Sequence, residues 1–158
     1  MPNVVVEPAT PGDVVATWRD LWNGEVIFTP RGVFSPRDVV GLAARDRNNR
    51  MVGLATYAVR DRVAAIVTIN AMLDGNGVAT VLLERIIAAA RAAGATALVA
   101  TLTNDNLRAF AFFQKRGFRL TALRPGAMDA VRARKPKIPL AAPNGIPIRD
   151  YIDVERDL

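Results

Sequence analysis

The sequence predicts an α+β fold: a mixed, mainly antiparallel central sheet, with helices on both faces and one parallel βαβ crossover. Three observations carry this prediction. Segments 39–45, 51–59 and 63–72 are rich in Val, Ala, Ile and Tyr, and only the polar turns Asp46-Arg47-Asn48-Asn49 and Arg60-Asp61-Arg62 separate them. Turns that short make consecutive strands antiparallel neighbours. The third segment then runs through Leu73-Asp74-Gly75-Asn76-Gly77 into a helix and on to the apolar run 97–102. A strand–helix–strand connection of that length pairs its strands in parallel.

The other elements follow from local chemistry. Val4, Val5 and Val6 read as a short strand, and Pro11-Gly12-Asp13 introduces a helix reaching Gly24, with Val14, Val15, Trp18, Leu21 and Trp22 at helical spacing. Residues 25–38, punctuated by Pro30, Gly32 and Pro36, read as irregular. The helix after the glycine turn repeats Ala79, Leu82, Leu83, Ile86, Ala90 and Ala93 on one face and stops at Gly94. Thr103-Asn104-Asp105-Asn106 caps a second helix over 107–116, which Gly117 ends, and 118–123 returns as a strand. A short helix over 128–134 and a last strand over 148–154 complete the chain. The 158 residues lack a linker, so one domain over 1–158 is expected, with 124–147 as a Pro-rich excursion before that last strand.

Composition excludes several chemistries. The chain has no cysteine and no histidine, so disulfides, thiolate metal sites, and Ser-His or Cys-His nucleophiles are ruled out, and no bound metal is expected. Acid–base work falls to carboxylate, Tyr, Lys, a substrate group or water. The start lacks the basic and long apolar stretches of a signal peptide and no run is long enough to span a bilayer, so a cytoplasmic address and no membrane partner are expected. The formal charge of +6 is uneven: between Arg108 and Lys137 nine cations face one acid, Asp129. That field suits a polyanion, a nucleotide-containing cofactor, or a plainly solvated face. Aromatic residues do not interleave with these charges as they would on a base-stacking platform, which disfavours nucleic acid as the partner.

The glycine turn is the sharpest chemical signal. Amides at a helix start, reinforced by the helix dipole, attract phosphate. Val78 and Ala79 stand where a P-loop needs Lys and Ser or Thr, and Thr80 stands where a dinucleotide fingerprint needs its third glycine. What remains is Gly75-Asn76-Gly77-Val78-Ala79 followed by Asn106-Leu107-Arg108-Ala109-Phe110-Ala111-Phe112-Phe113-Gln114-Lys115-Arg116-Gly117-Phe118. This pair of motifs resembles the GCN5-related N-acetyltransferase (GNAT) family. The likeness covers the chain from its first strand to Leu123, and its tail resembles that of bacterial relatives with a Pro-rich end.

The resemblance implies a GNAT-like sheet and an acetyl-CoA site without metal. Backbone amides across Gly75, Asn76, Gly77, Val78, Ala79 and Thr80 would hold the diphosphate, and backbone at Ile69, Asn70 and Ala71 would align the pantetheine arm. Asn106 would anchor that arm, Phe113 would lie near the thioester, and Lys115 and Arg116 could meet the ribose phosphate. The implied reaction is attack of a primary amine, on a small molecule or a protein N-terminus or side chain, on the thioester. The alternative is a GNAT-fold protein that has lost acetyl transfer and serves another reaction or binds another ligand.

Three departures bear on that choice. Asp74 replaces the usual Gln or Arg and opposes a nearby diphosphate by about 1 kcal/mol at a wet surface, and Asn76 replaces a commonly basic residue. Phe113 stands where a phenol often protonates the leaving thiolate, and loss of a general acid costs on the order of a hundredfold in rate. The strand 64–69 carries no carboxylate. Glu25 and Asp61 remain as candidate bases, and Tyr57 and Tyr151 as candidate acids, each with an ordinary surface or core role as the favoured alternative. Trp22, Phe28, Phe34 and the tail from Pro139 to Ile148 are candidates to shape an acceptor pocket, and an exposed sheet edge or the tail would support a homodimer.

Overall fold

The computed structural model describes residues 2–72 and 76–158. The chain forms two compact units, one running to Leu98 and including Leu158, the other comprising Val99–Asp157.

In the first unit, β1 (Val5–Pro8), β4 (Val40–Arg45), β5 (Met51–Arg60) and β6 (Val63–Ala71) lie side by side in that order, each pair antiparallel. The meander read from the two polar turns is therefore present. Helix α1 (Pro11–Leu21) begins at Thr10, whose hydroxyl accepts from the Asp13 amide while the Asp13 carboxylate accepts from the Thr10 amide. Its end falls earlier than the expected Gly24, because Asn23 and Gly24 take positive φ. Val14 and Trp18 bury against Leu54, Ala58 and Val67. Residues 25–38, expected to be irregular, instead form a hairpin of β2 (Ile27–Thr29) and β3 (Gly32–Phe34). Its paired Ile27 and Phe34 enter the same apolar cluster, and that burial supports strands too short to read from periodicity. Phe34, a candidate for the acceptor pocket, is thus a core residue.

Helix α2 (Val78–Ala92) packs on the opposite face of this sheet. Gly53 makes the approach possible, since a Cβ there would lie 2.5 Å from Val78 Cγ1 and 3.0 Å from Leu82 Cδ1. The neighbouring Leu54 belongs to the α1 cluster, as strand alternation requires. Pairing of β5 with β6 runs Gly53 to Ala71, Leu54 to Asn70 and Thr56 to Thr68, then slips so that Tyr57 faces Ile66. Val67 is the extra residue of a β-bulge, and Val67, Thr68 and Asn70 all fall on the α1 face.

In the second unit the strand order is β7 (Ala97–Thr103), β9 (Tyr151–Asp157), β8 (Arg119–Arg124), with β8 and β9 antiparallel. Helix α3 (Leu107–Gln114) is capped by Asn106, whose side chain accepts from the Ala109 amide at 3.1 Å. Helix α4 is Ala127–Arg134. The Pro-rich stretch after it is pinned by polar side chains. Arg132 donates to the carbonyls of Ile138, Pro139 and Ile148, and Asn104 donates to Pro147 O while accepting from the amides of Arg149 and Asp150. That last clamp explains why β9 starts at Tyr151 rather than at 148: the preceding amides are engaged by a side chain instead of a strand ladder.

Candidate cofactor and acyl-transfer site

In the first unit, the expected cofactor residues gather where α2 begins. Gly77 is its N-cap with φ 81°, the left-handed conformation that glycine adopts without strain. It offers no capping side chain, and the first turn of α2 holds no acidic residue. The Asn76 side-chain oxygen accepts a long hydrogen bond from the Val78 amide at 3.4 Å. A Cβ on Gly77 would meet Pro2 Cδ at 3.3 Å, so glycine also lets Pro2 lie close against this turn. Ala71 pairs with Gly53, and Gly53 seats Val78. The end of β6, comprising Ile69, Asn70 and Ala71, is thereby brought to the start of α2, comprising Asn76, Gly77, Val78, Ala79 and Thr80. A helix start of this kind, with no acidic residue in its first turn, fits an anionic group. Gly75 and Asp74 lie outside the described residues.

Indole N–H groups from α1 reach across to β6. Trp18 Nε1 donates to Thr68 Oγ1 at 3.3 Å, and Thr68 Oγ1 shares a 2.7 Å hydrogen bond with Thr56 Oγ1, all three residues being fully or almost fully buried. One turn further on, Trp22 Nε1 donates to Asn70 Oδ1 at 2.8 Å in a partly buried setting. Sequence reading placed both tryptophans in the core or at a pocket but did not identify these partners. They are 48 and 50 residues away in the chain, and the bulge decides which face they occupy.

In the second unit, Asn106 and Phe113 share α3. The Asn106 oxygen is engaged as the helix cap. Phe113 is 2 % exposed and makes edge-to-face contacts with Phe112 at 5.2 Å and Phe118 at 4.9 Å. Arg116 stacks over Phe112 at 3.9 Å and donates to the Phe112 carbonyl.

In the first unit the acid–base candidates occupy the surface, a turn and mid-strand. Glu25 is paired with Arg19 at 3.0 Å on the surface. Asp61 sits in the β5–β6 turn with φ 49°, at the end of β6 remote from Ala71. Tyr57 is buried at mid-strand, and desolvation pushes its phenol up. Tyr151, in the second unit, is pushed up by burial to about 12. Both phenols therefore hold their protons through the neutral range and can donate a hydrogen bond but not act as bases. Among the described residues no cluster of carboxylates is suited to a metal ion, and no helix is long and apolar enough to cross a membrane.

Comparison with known proteins agrees with this geometry. A family model described as the Acetyltransferase (GNAT) family matches residues 11–118. The chain is 32 % identical over 157 residues to "Uncharacterized protein YxbD" of Bacillus subtilis (strain 168), covering 99 % of each chain. Among solved structures, it resembles a GNAT family acetyltransferase from Elizabethkingia anophelis with acetyl-CoA bound, with a TM-score of 0.77 at 20 % identity over 100 % of both chains. It also resembles an IAA acetyltransferase from Bacillus cereus ATCC 14579, with a TM-score of 0.76 at 20 % identity over 99 % of this chain and 100 % of that one. Those two likenesses show the fold, which is the mixed α+β, mainly antiparallel class with one parallel strand pair that the sequence predicts.

Proposed function

Because this chain belongs to the acetyltransferase (GNAT) family, we propose that it transfers an acetyl group from acetyl-CoA to a primary amine. The observation that carries this reading is the start of α2, with a left-handed glycine as its N-cap, no acidic residue in its first turn, and a seat on Gly53 beside the end of β6. Acetyl-CoA supplies an activated acyl thioester. The chain supplies positioning: amides at Val78, Ala79 and Thr80 hold the diphosphate, and backbone at Ile69 to Ala71 orients the arm. Holding two reactants in a reactive geometry is itself worth several kcal/mol of barrier, so a site with few acid–base groups can still catalyse transfer. In this reading the phenol of Tyr57 donates a hydrogen bond rather than a proton.

The test is thermal unfolding with and without acetyl-CoA, followed by CoA release with a panel of amines. Binding to the folded state raises Tm by linkage. Acetyl-CoA is expected to raise Tm at submillimolar concentration, and an absent shift at millimolar concentration overturns the reading.

Two observations favour a second reading. Phe113 is sealed in an aromatic cluster and Glu25 is engaged by Arg19, which suits a scaffold that has lost acetyl transfer and binds another ligand. That reading predicts no stabilisation by any acyl-CoA, with stabilisation by another metabolite.

A further inference from the structure

The two indole bonds from α1 to β6 use the same device with different outcomes. At Trp18 the device is closed. Thr68 accepts the indole proton and its hydroxyl is shared with Thr56, with each side chain sealed from solvent. At Trp22 it is left open. An indole N–H can only donate, so the oxygen of the Asn70 carboxamide must face it, and the Nδ2 group points the other way. Asn70 is half-buried, and its two Nδ2 protons have no acceptor among the described residues. If satisfying the indole were the whole task, a hydroxyl would have sufficed, as it does two residues earlier. A half-buried amide whose donors find no acceptor among the described residues is instead an arrangement ready for an oxygen from outside.

Which molecule brings that oxygen follows from the faces of the sheet. The start of α2, proposed to hold the diphosphate, lies on the Gly53 face. Asn70 is on the other face, under α1, beside the partly buried Trp22. Its donors therefore serve the second substrate. We infer that Asn70, oriented by Trp22, is a specificity-determining residue that selects an amine carrying a carbonyl-type oxygen, as an amino acid, an amino-acid amide or a peptide does. Two neutral N–H donors match such an oxygen and offer nothing to a bare alkyl amine. The inference rests on the acetyltransferase reading given above and adds the class of acceptor.

The experiment uses matched acceptors built on the twenty amino acids, each offered as the free acid, the amide and the decarboxylated amine, with acetyl-CoA as donor. Carbonyl-bearing members are expected to show at least tenfold higher kcat/KM than the bare amines. Asn70→Asp keeps the oxygen that Trp22 needs and removes the donors. It is expected to raise acceptor KM at least tenfold while leaving acetyl-CoA KM within twofold and Tm nearly unchanged. Trp22→Phe keeps the ring and frees the amide to turn, so acceptor KM rises by a smaller factor in the same direction. Preference for bare amines, an Asn70→Asp effect confined to acetyl-CoA KM, or no turnover of any member while acetyl-CoA still raises Tm would each overturn the inference. Absence of any acetyl-CoA effect on Tm would instead bring down the reading beneath it.

Discussion

Helices α1 and α2 cover opposite faces of the same sheet, and each is lowered onto it by a strand glycine. A Cβ on Gly41 would meet Ala9 Cβ at 2.9 Å and Val14 Cγ2 at 3.0 Å, while a Cβ on Gly53 would meet Val78 Cγ1 at 2.5 Å. The seating is alike but the caps differ. The start of α1 is closed by Thr10 and Asp13, and the same carboxylate accepts from Arg45 at 3.1 Å. The start of α2 has a glycine, no capping side chain and no acid in its first turn. A helix start that serves stability satisfies its own amides, whereas one that serves a ligand leaves them to the ligand.

The largest expected effect comes from disturbing the seats. Gly41→Ala and Gly53→Ala should each destabilise by about 1–3 kcal/mol through overpacking. Only Gly53→Ala should also abolish the rise in Tm that acetyl-CoA produces. Equal loss of ligand response in both variants would erase the distinction. Next is Gly77→Asp, which gives α2 the carboxylate that α1 has. Acetyl-CoA affinity should fall at least tenfold, equivalent to about 1.4 kcal/mol, as measured by titration calorimetry. Smallest is removal of the α1 cap. Thr10→Ala should cost about 1 kcal/mol of stability and leave acetyl-CoA affinity unchanged. The Asp13 carboxyl is held below its ordinary 3.8, first by the Thr10 amide and also by Arg45. A carboxylate with a depressed folded-state pKa stabilises the fold above its unfolded value and loses that contribution as pH falls through the folded one. The Tm difference between the natural protein and Asp13→Asn should therefore be full at pH 7 and vanish well below pH 3.8, while the α2 start, with no acid in its first turn, should show no counterpart.

Much of this was legible in the sequence, because most elements are specified locally. Short polar turns set the meander, Gly77 and Gly94 bracket α2, and Asn106 caps α3. What escaped reading depends on contacts far apart in the chain. The β2–β3 hairpin has strands of three residues each, too short for periodicity, and exists because Ile27 and Phe34 find the α1 core. Gly53 is an unremarked glycine within an apolar strand until the helix that lands on it is known. The pairing of Trp22 with Asn70 requires both the helical phase of α1 and the phase of β6, and the second of these is interrupted by a bulge that no residue type announces.

That bulge makes strand register, as well as residue identity, decide which side chains of β6 face α1. In an uninterrupted β6, residues 65, 67, 69 and 71 would share the α1 face, and Asn70 would be turned toward α2. Because Val67 is inserted opposite the Thr56–Tyr57 step, the even-numbered residues beyond it are presented to α1 instead. Deleting Val67 would remove the bulge and leave Thr68 and Asn70 on the α1 face, whereas one residue added or removed between Val67 and Asn70 would turn Asn70 toward α2. A one-residue change there exchanges every side chain beyond it between the two faces of the sheet, which no point substitution reproduces.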